Sequence, residues 1–167
     1  MDVFGLEIPN KPLTNYELID YAEKLNIPNF RGVYMIDTLP KAPKRRECGI
    51  VNFSSSKEIG THWVCYFKNK SIKIYFDSYG QITPQEIQNY LKTKRERGVG
   101  VIQRNTDIVQ RSNTSICGHL CLFVLKALSG MHWTFQQVLN HLNANVDYGS
   151  SQADWLSSKT EKRICFT

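Results

Sequence analysis

The chain has 167 residues, the size of one domain built on one core, since chains rarely divide below about 250 residues. An apolar fraction of 41% with 22% charged residues excludes the sparse, highly charged composition of a disordered chain. Twenty-one Lys and Arg against 15 Asp and Glu give +6, a basic bias that permits contact with a polyanion without requiring it.

In chain order, Thr14 with Glu17 and Thr83 with Glu86 read as capping boxes, each opening an amphipathic helix. The first helix carries Leu18, Ile19, Ala22 and Leu25; the second carries Ile87, Tyr90 and Leu91 and runs out into Lys92, Lys94, Arg95 and Arg97. Strands are predicted at 49–53, 62–68, 71–77, 99–102 and 107–109, where β-branched and aromatic residues concentrate. Between 115 and 129 only His119 and Lys126 interrupt an apolar surface, so this segment is predicted as a central helix buried on nearly every side. Thr134 with Gln137 opens a last helix carrying Val138, Leu139 and Leu142. No repeat or linker divides 1–167, and Pro40, Pro43 and the run 41–46 form a connector. The pattern predicts a single α+β domain, a central mixed β-sheet packed against a buried helix with further helices at its flanks.

Five cysteines, Cys48, Cys65, Cys117, Cys121 and Cys165, are an odd, scattered set rather than a disulfide framework. The opening residues put Asp2 where a secretion signal needs a cation. The apolar run at 116–128 falls short of the roughly 18 residues of a membrane span. The expectation is a soluble protein of a reducing intracellular compartment with no membrane partner.

Two local arrangements carry chemistry. A hairpin turning at Asn69-Lys70 sets Trp63 against Phe76, Cys65 against Ile74 and Phe67 against Ile72, an apolar face that must meet the core. The same register sets His62 opposite Asp77, with Cβ atoms about 4.5–5.5 Å apart. Alone, such a pair is as well read as surface decoration. The second arrangement is the polar turn 113–118, which delivers Cys117 to the first turn of the buried helix. The helix dipole there favours a thiolate, and such placement lowers a cysteine pKa from about 8.5 to roughly 3.5–7.5. Gly118 leaves room beside the sulfur for a substrate backbone. Cys65 and Cys121 read as small buried hydrophobes, whereas Cys48 and Cys165 lie in charged, exposed-looking sequence. Cys117, His119 and Cys121 lack a fourth ligand and the usual knuckle spacing, so no metal is expected.

Gly60-Thr61-His62-Trp63-Val64, then Tyr75-Phe76-Asp77-Ser78-Tyr79-Gly80, then Gln110 and Cys117-Gly118-His119-Leu120-Cys121 closely resemble adenain, the adenovirus endopeptidase, and adenain-like proteases of virus-like elements. Phe30-Arg31-Gly32-Val33 and Asp37-Thr38-Leu39-Pro40 extend the resemblance, which covers about 30–128. The order His, Asp, Gln, Cys is that of the wider papain-like group that includes proteases of ubiquitin-like proteins. The resemblance implies a thiol protease in which Cys117 is the nucleophile, His62 its base, Asp77 the acid that orients the histidine and Gln110 the oxyanion donor. It implies polypeptide substrates with glycine-type residues before the cleaved bond, and maturation of structural proteins of a virus or virus-like element in the host nucleus and virion. Relatives use the tryptophan after the histidine to narrow the channel over glycine, which would make Trp63 and Gly118 substrate-binding; strand alternation instead turns Trp63 to the core.

The chemistry needs no cofactor. Members of the family are activated by DNA and by a disulfide-linked peptide, so either could act here. The basic clusters at 41–46, 92–97 and 159–163 are candidate nucleic-acid contacts or a solvated surface. Two rival readings are a deconjugase of ubiquitin-like modifiers and a non-catalytic basic module that binds nucleic acid. The second should have lost one of the four polar groups, and none is missing.

Overall fold

The computed structural model describes residues 1–58, 61–92 and 101–145. A short ribbon of β1 (Asp2–Val3) and β2 (Leu6–Glu7) leads into α1 (Asn15–Lys24). A five-stranded sheet follows, formed by β3 (Phe30–Met35), β4 (Arg46–Asn52), β5 (Trp63–Asn69), β6 (Ile72–Phe76) and β7 (Ile102–Arg104), in that spatial order. Its inner pairs β4/β5 and β5/β6 are antiparallel, and its outer pairs β3/β4 and β6/β7 are parallel. The remaining helices are α2 (Gln85–Leu91), α3 (Cys117–Leu125) and α4 (Phe135–Ala144). Together these elements form an α+β fold with a mixed sheet at its centre.

Each face of the sheet carries its own apolar layer. Ile50, Trp63, Cys65, Ile74 and Phe76 pack with α3, while Val51, Val64, Tyr66 and Tyr75 pack with Ile87, Tyr90 and Leu91 of α2. Every residue of α3 is buried, and a π-helical turn, Lys126–Gly130, extends it. Helix α1 adds Leu18 and Ala22 to the α3 layer, and α4 adds Phe135, Val138 and Leu142. Fully burying such a leucine or valine side chain is worth about 1.5–3 kcal/mol, so this layer is the main source of cohesion.

Capping explains two helix starts and corrects a third. Thr14 with Glu17 and Thr134 with Gln137 both form reciprocal caps. Thr83 with Glu86 does not, because Pro84 takes the cap position and starts the helix at Gln85, one residue too late for Glu86 to reach back. Leu91 ends this helix, and the predicted basic run at 93–97 lies outside the described residues. Ile19, placed on the apolar face of α1 from sequence, is 43% exposed.

Three strand expectations also change. β3 escapes an alternation search because Arg31 and Gly32 interrupt it and all six residues are only half-buried. The segment predicted at 99–102 contributes Ile102 to β7, with 99 and 100 outside the described residues, and 107–109 forms no strand. The hairpin pairs Cys65 with Phe76, Phe67 with Ile74 and Asn69 with Ile72, two residues from the expected register. Lys70, with φ of +57°, takes the left-handed turn position that the sequence suggested for Asn69. A two-residue shift preserves which side chains share a face, so the apolar face survives the correction.

Candidate active site

His62 and Asp77 are each the first residue outside their strands, at the same end of β5 and β6. Carried past the strand ends, the register sets His62 across from Tyr79 rather than Asp77, and the two rings lie 4.9 Å apart. The imidazole reaches diagonally instead, with His62 Nε2 2.7 Å from Asp77 Oδ1. The carboxylate is fixed from both sides: Oδ1 also accepts from the Tyr79 amide at 2.9 Å, and Oδ2 accepts from the Gln81 amide at 3.3 Å. Asp77 is fully buried and His62 is 7% exposed, so this is a desolvated pair rather than surface decoration. With Nε2 donating to the carboxylate, the other ring nitrogen, Nδ1, is the proton acceptor of the neutral ring. Nδ1 is buried without a hydrogen-bond partner among the described residues.

The backbone of Asp77 is held as firmly as its side chain. Its amide donates to Asn105 Oδ1 at 3.1 Å and its carbonyl accepts from Asn105 Nδ2 at 2.6 Å. The chain then turns at Gly80, whose φ is +64° and where a Cβ would sit 2.4 Å from the Thr106 carbonyl oxygen. Only glycine permits that approach, and it brings 105–110 alongside the acid.

Cys117 starts α3, and the first bond within that helix runs from the Leu120 amide to the Ile116 carbonyl. The amides before it belong to the positive end of the helix, where an anion is favoured. The link to His62 is made by the next residue on each segment. A methyl group built on Gly118 would lie 3.4 Å from Trp63 Cδ1, so the indole edge faces the glycine at about the reach of a methyl contact. Trp63 thereby packs the start of β5 against the start of α3, one residue along the chain from His62 and from Cys117 respectively. The Cys117 sulfur is disulfide-bonded in the structure, so thiolate chemistry there begins with its reduction.

This packing corrects the substrate-binding expectation for both Trp63 and Gly118. Trp63 is 2% exposed and its indole N–H donates to the Leu13 carbonyl at 2.9 Å. The space beside Gly118 is filled by Leu18, Trp63 and Leu13. Strand alternation gives the placement seen, and the glycine serves close helix–sheet contact.

Gln110 is fully buried rather than exposed at a strand end. Its Oε1 accepts from Ser78 Oγ at 2.6 Å and its Nε2 donates to the Thr114 carbonyl at 2.8 Å, which turns the amide nitrogen toward the segment leading to Cys117. Ser78, Tyr79 and Asn105 are the polar and aromatic supports that sequence reasoning missed. The first two stand in the quoted string Asp77-Ser78-Tyr79-Gly80, but nothing in the sequence pairs them with Gln110 or His62.

The other cysteines differ sharply from Cys117 in setting. Cys48, Cys65 and Cys121 are free and buried, and burial pushes the thiols of Cys48 and Cys65 well above their ordinary range. Cys48, expected at the surface, donates to the Pro28 carbonyl at 3.6 Å inside the core. Cys165 lies outside the described residues, as does the basic run 159–163. Lys41, Lys44, Arg45 and Arg46 are exposed. Among the described residues no group of three metal-ligating side chains converges, and no helix is long and apolar enough to cross a membrane.

No protein-family model matches the sequence, and no curated protein matches it significantly. The fold is similar to crystal structures of the ASFV pS273R protease and of its Se-Met form, with TM-scores of 0.53 and 0.50. Each is 17% identical and is matched over 92% of this chain and 68% of the protease chain. At that identity the likeness is one of architecture: this chain has the α+β fold of that protease, a mixed sheet laid on a buried helix with Cys117 at its mouth.

Proposed function

We propose that the protein is a cysteine endopeptidase. What carries the reading is the histidine: His62 gives Nε2 to a fixed, buried carboxylate and keeps Nδ1 unpartnered among the described residues, beside the Trp63–Gly118 contact that adjoins Cys117. After reduction, His62 Nδ1 takes the Cys117 proton, and the thiolate attacks the substrate carbonyl carbon. The oxyanion that forms is met by the Gln110 amide and the Cys117 backbone N–H, a contact worth about 10²–10³ in rate per donor. His62 returns the proton to the amine nitrogen as the C–N bond breaks. Water, deprotonated by the same imidazole, then cleaves the thioester and restores the thiol. Asp77 holds the ring in the tautomer that this sequence requires.

Substrates in this reading are polypeptides cleaved after glycine-type residues, with structural proteins of a virus or virus-like element as the natural class. The resemblance to adenain in the four site residues and their flanks supports it, as does the shared architecture with the ASFV pS273R protease.

The test uses the full chain with a thiol reductant and a peptide library varied before the scissile bond. Cleavage after small residues is expected, together with alkylation concentrated on Cys117 below neutral pH. Cys117→Ala should lose all cleavage while keeping its urea unfolding midpoint; undiminished peptidase activity in that variant would overturn the assignment.

A further inference from the structure

We infer that Ser78 is a positioning residue for Gln110, setting the orientation and donor strength of its amide in the reaction proposed above, on which this inference rests. Ser78 Oγ and Gln110 Oε1 are 2.6 Å apart, and the two residues are 1% and 0% exposed, so water cannot replace the bond. A carboxamide turned by half a rotation presents oxygen where nitrogen stood, and a turned Gln110 would aim a lone pair at a developing negative charge. Two contacts forbid that turn. The Thr114 carbonyl can only accept, so it requires nitrogen on its side, and this leaves Oε1 to take the Ser78 hydroxyl proton. A bond donated to Oε1 also polarises the amide and strengthens its N–H groups as donors. Ser78 is covalently next to Asp77, so one dipeptide orients both the base and the oxyanion arm.

The main chain makes the hydroxyl separable from the loop it sits on. The Val109 amide donates to the Ser78 carbonyl at 2.9 Å, and that bond survives any side-chain change. Ser78→Ala therefore keeps Gln110 near its place and removes the hydroxyl that donates to its oxygen.

The experiment measures kcat and KM for Ser78→Ala, Ser78→Thr, Gln110→Ala and the Ser78→Ala/Gln110→Ala double variant, with the Cys117 alkylation rate followed in each. Ser78→Ala is expected to lower kcat by about 10-fold, a fraction of the cost of losing the donor outright, with KM and alkylation unchanged. Ser78→Thr keeps the hydroxyl and should recover most of the loss. In the Gln110→Ala background the second substitution should cost almost nothing, because the two act as a unit. Equal losses in both backgrounds, or a loss confined to KM, would refute the role of Ser78 while leaving the peptidase intact. A reduced wild-type protein that cleaves nothing would instead refute the peptidase reading, and this inference with it.

Discussion

Two buried polar clusters sit at opposite ends of β5, about 17 Å apart along the strand, and they treat their hydrogen bonds in opposite ways. At the far end, Glu47 of β4, 1% exposed, is saturated. Its carboxylate accepts from Tyr66 at 2.6 Å, Tyr90 at 2.5 Å, the Lys44 amide at 2.6 Å and Arg31 at 2.8 Å. Arg31 in turn donates to the Ala42 carbonyl at 2.7 Å. At the near end His62 retains a buried nitrogen with no partner among the described residues. A satisfied buried charge locks strands and helix together, whereas in the proposed mechanism the open nitrogen of the neutral His62 ring is the one that takes the proton. Both clusters are dry, so burial does not distinguish them, and an open nitrogen alone does not either, since His119 Nδ1 of α3 is likewise buried without a partner among the described residues.

Substitutions at the two ends should separate accordingly. The largest expected effect is that of His62→Ala, which should lower kcat per folded molecule by roughly 10²–10⁴, with a smaller loss in urea than at Glu47 because the Tyr79 and Gln81 amides still hold the Asp77 carboxylate. A loss of stability as great as that of a Glu47 variant would erase the distinction. Glu47→Ala should do the reverse, costing about 3–5 kcal/mol in urea unfolding because the Arg31 charge loses its partner, with kcat per folded molecule unchanged.

Trp63 lies between these extremes, as a scaffold residue beside the site. Trp63→Phe removes the bond to the Leu13 carbonyl and should cost about 1–3 kcal/mol with KM for glycine-containing peptides unaltered. A raised KM at unchanged stability would restore the tryptophan as a wall of the substrate channel.

The smallest effect concerns His119 of α3, whose Nε2 donates to the Pro9 carbonyl at 2.8 Å and whose ring is 0% exposed. Burial holds its pKa below the ordinary value of 6.5, so the folded protein keeps the ring neutral while the unfolded chain protonates it. The unfolded state binds more protons, and stability is complete above that ordinary value and declines as acid is added below it. Urea unfolding at about pH 7.5 and about pH 5.5 should show the decline, and His119→Gln should reduce it. An identical pH dependence in the variant would assign the effect elsewhere.

The polar and apolar faces of the hairpin were legible in the sequence because period-two alternation survives a register slip of two. The register itself was not, because Asn69 and Lys70 can both take the turn and only tertiary context chooses. The central helix and two capping boxes could be read directly, while Pro84 defeated the third by a steric rule stronger than the Thr83–Glu86 pattern. Cys117, His62, Asp77 and Gln110 were picked out as candidates through residue type, local setting and a family resemblance. Their supports, Ser78 and Asn105, were not, because a hydrogen bond between distant segments leaves no periodic trace. Cys48 misled because Glu47, its charged neighbour, turns to the other face of β4 and Arg46 is exposed only as the strand's first residue.

The seating of one indole on one glycine has a further consequence for when the protein can act. Since Trp63 belongs to the cohesive layer and packs beside both His62 and Cys117 along the chain, in the proposed mechanism a partly folded chain holds an unarmed sulfur. For the peptidase proposed above, such a chain could not digest itself during synthesis, and heat should extinguish cleavage in step with melting.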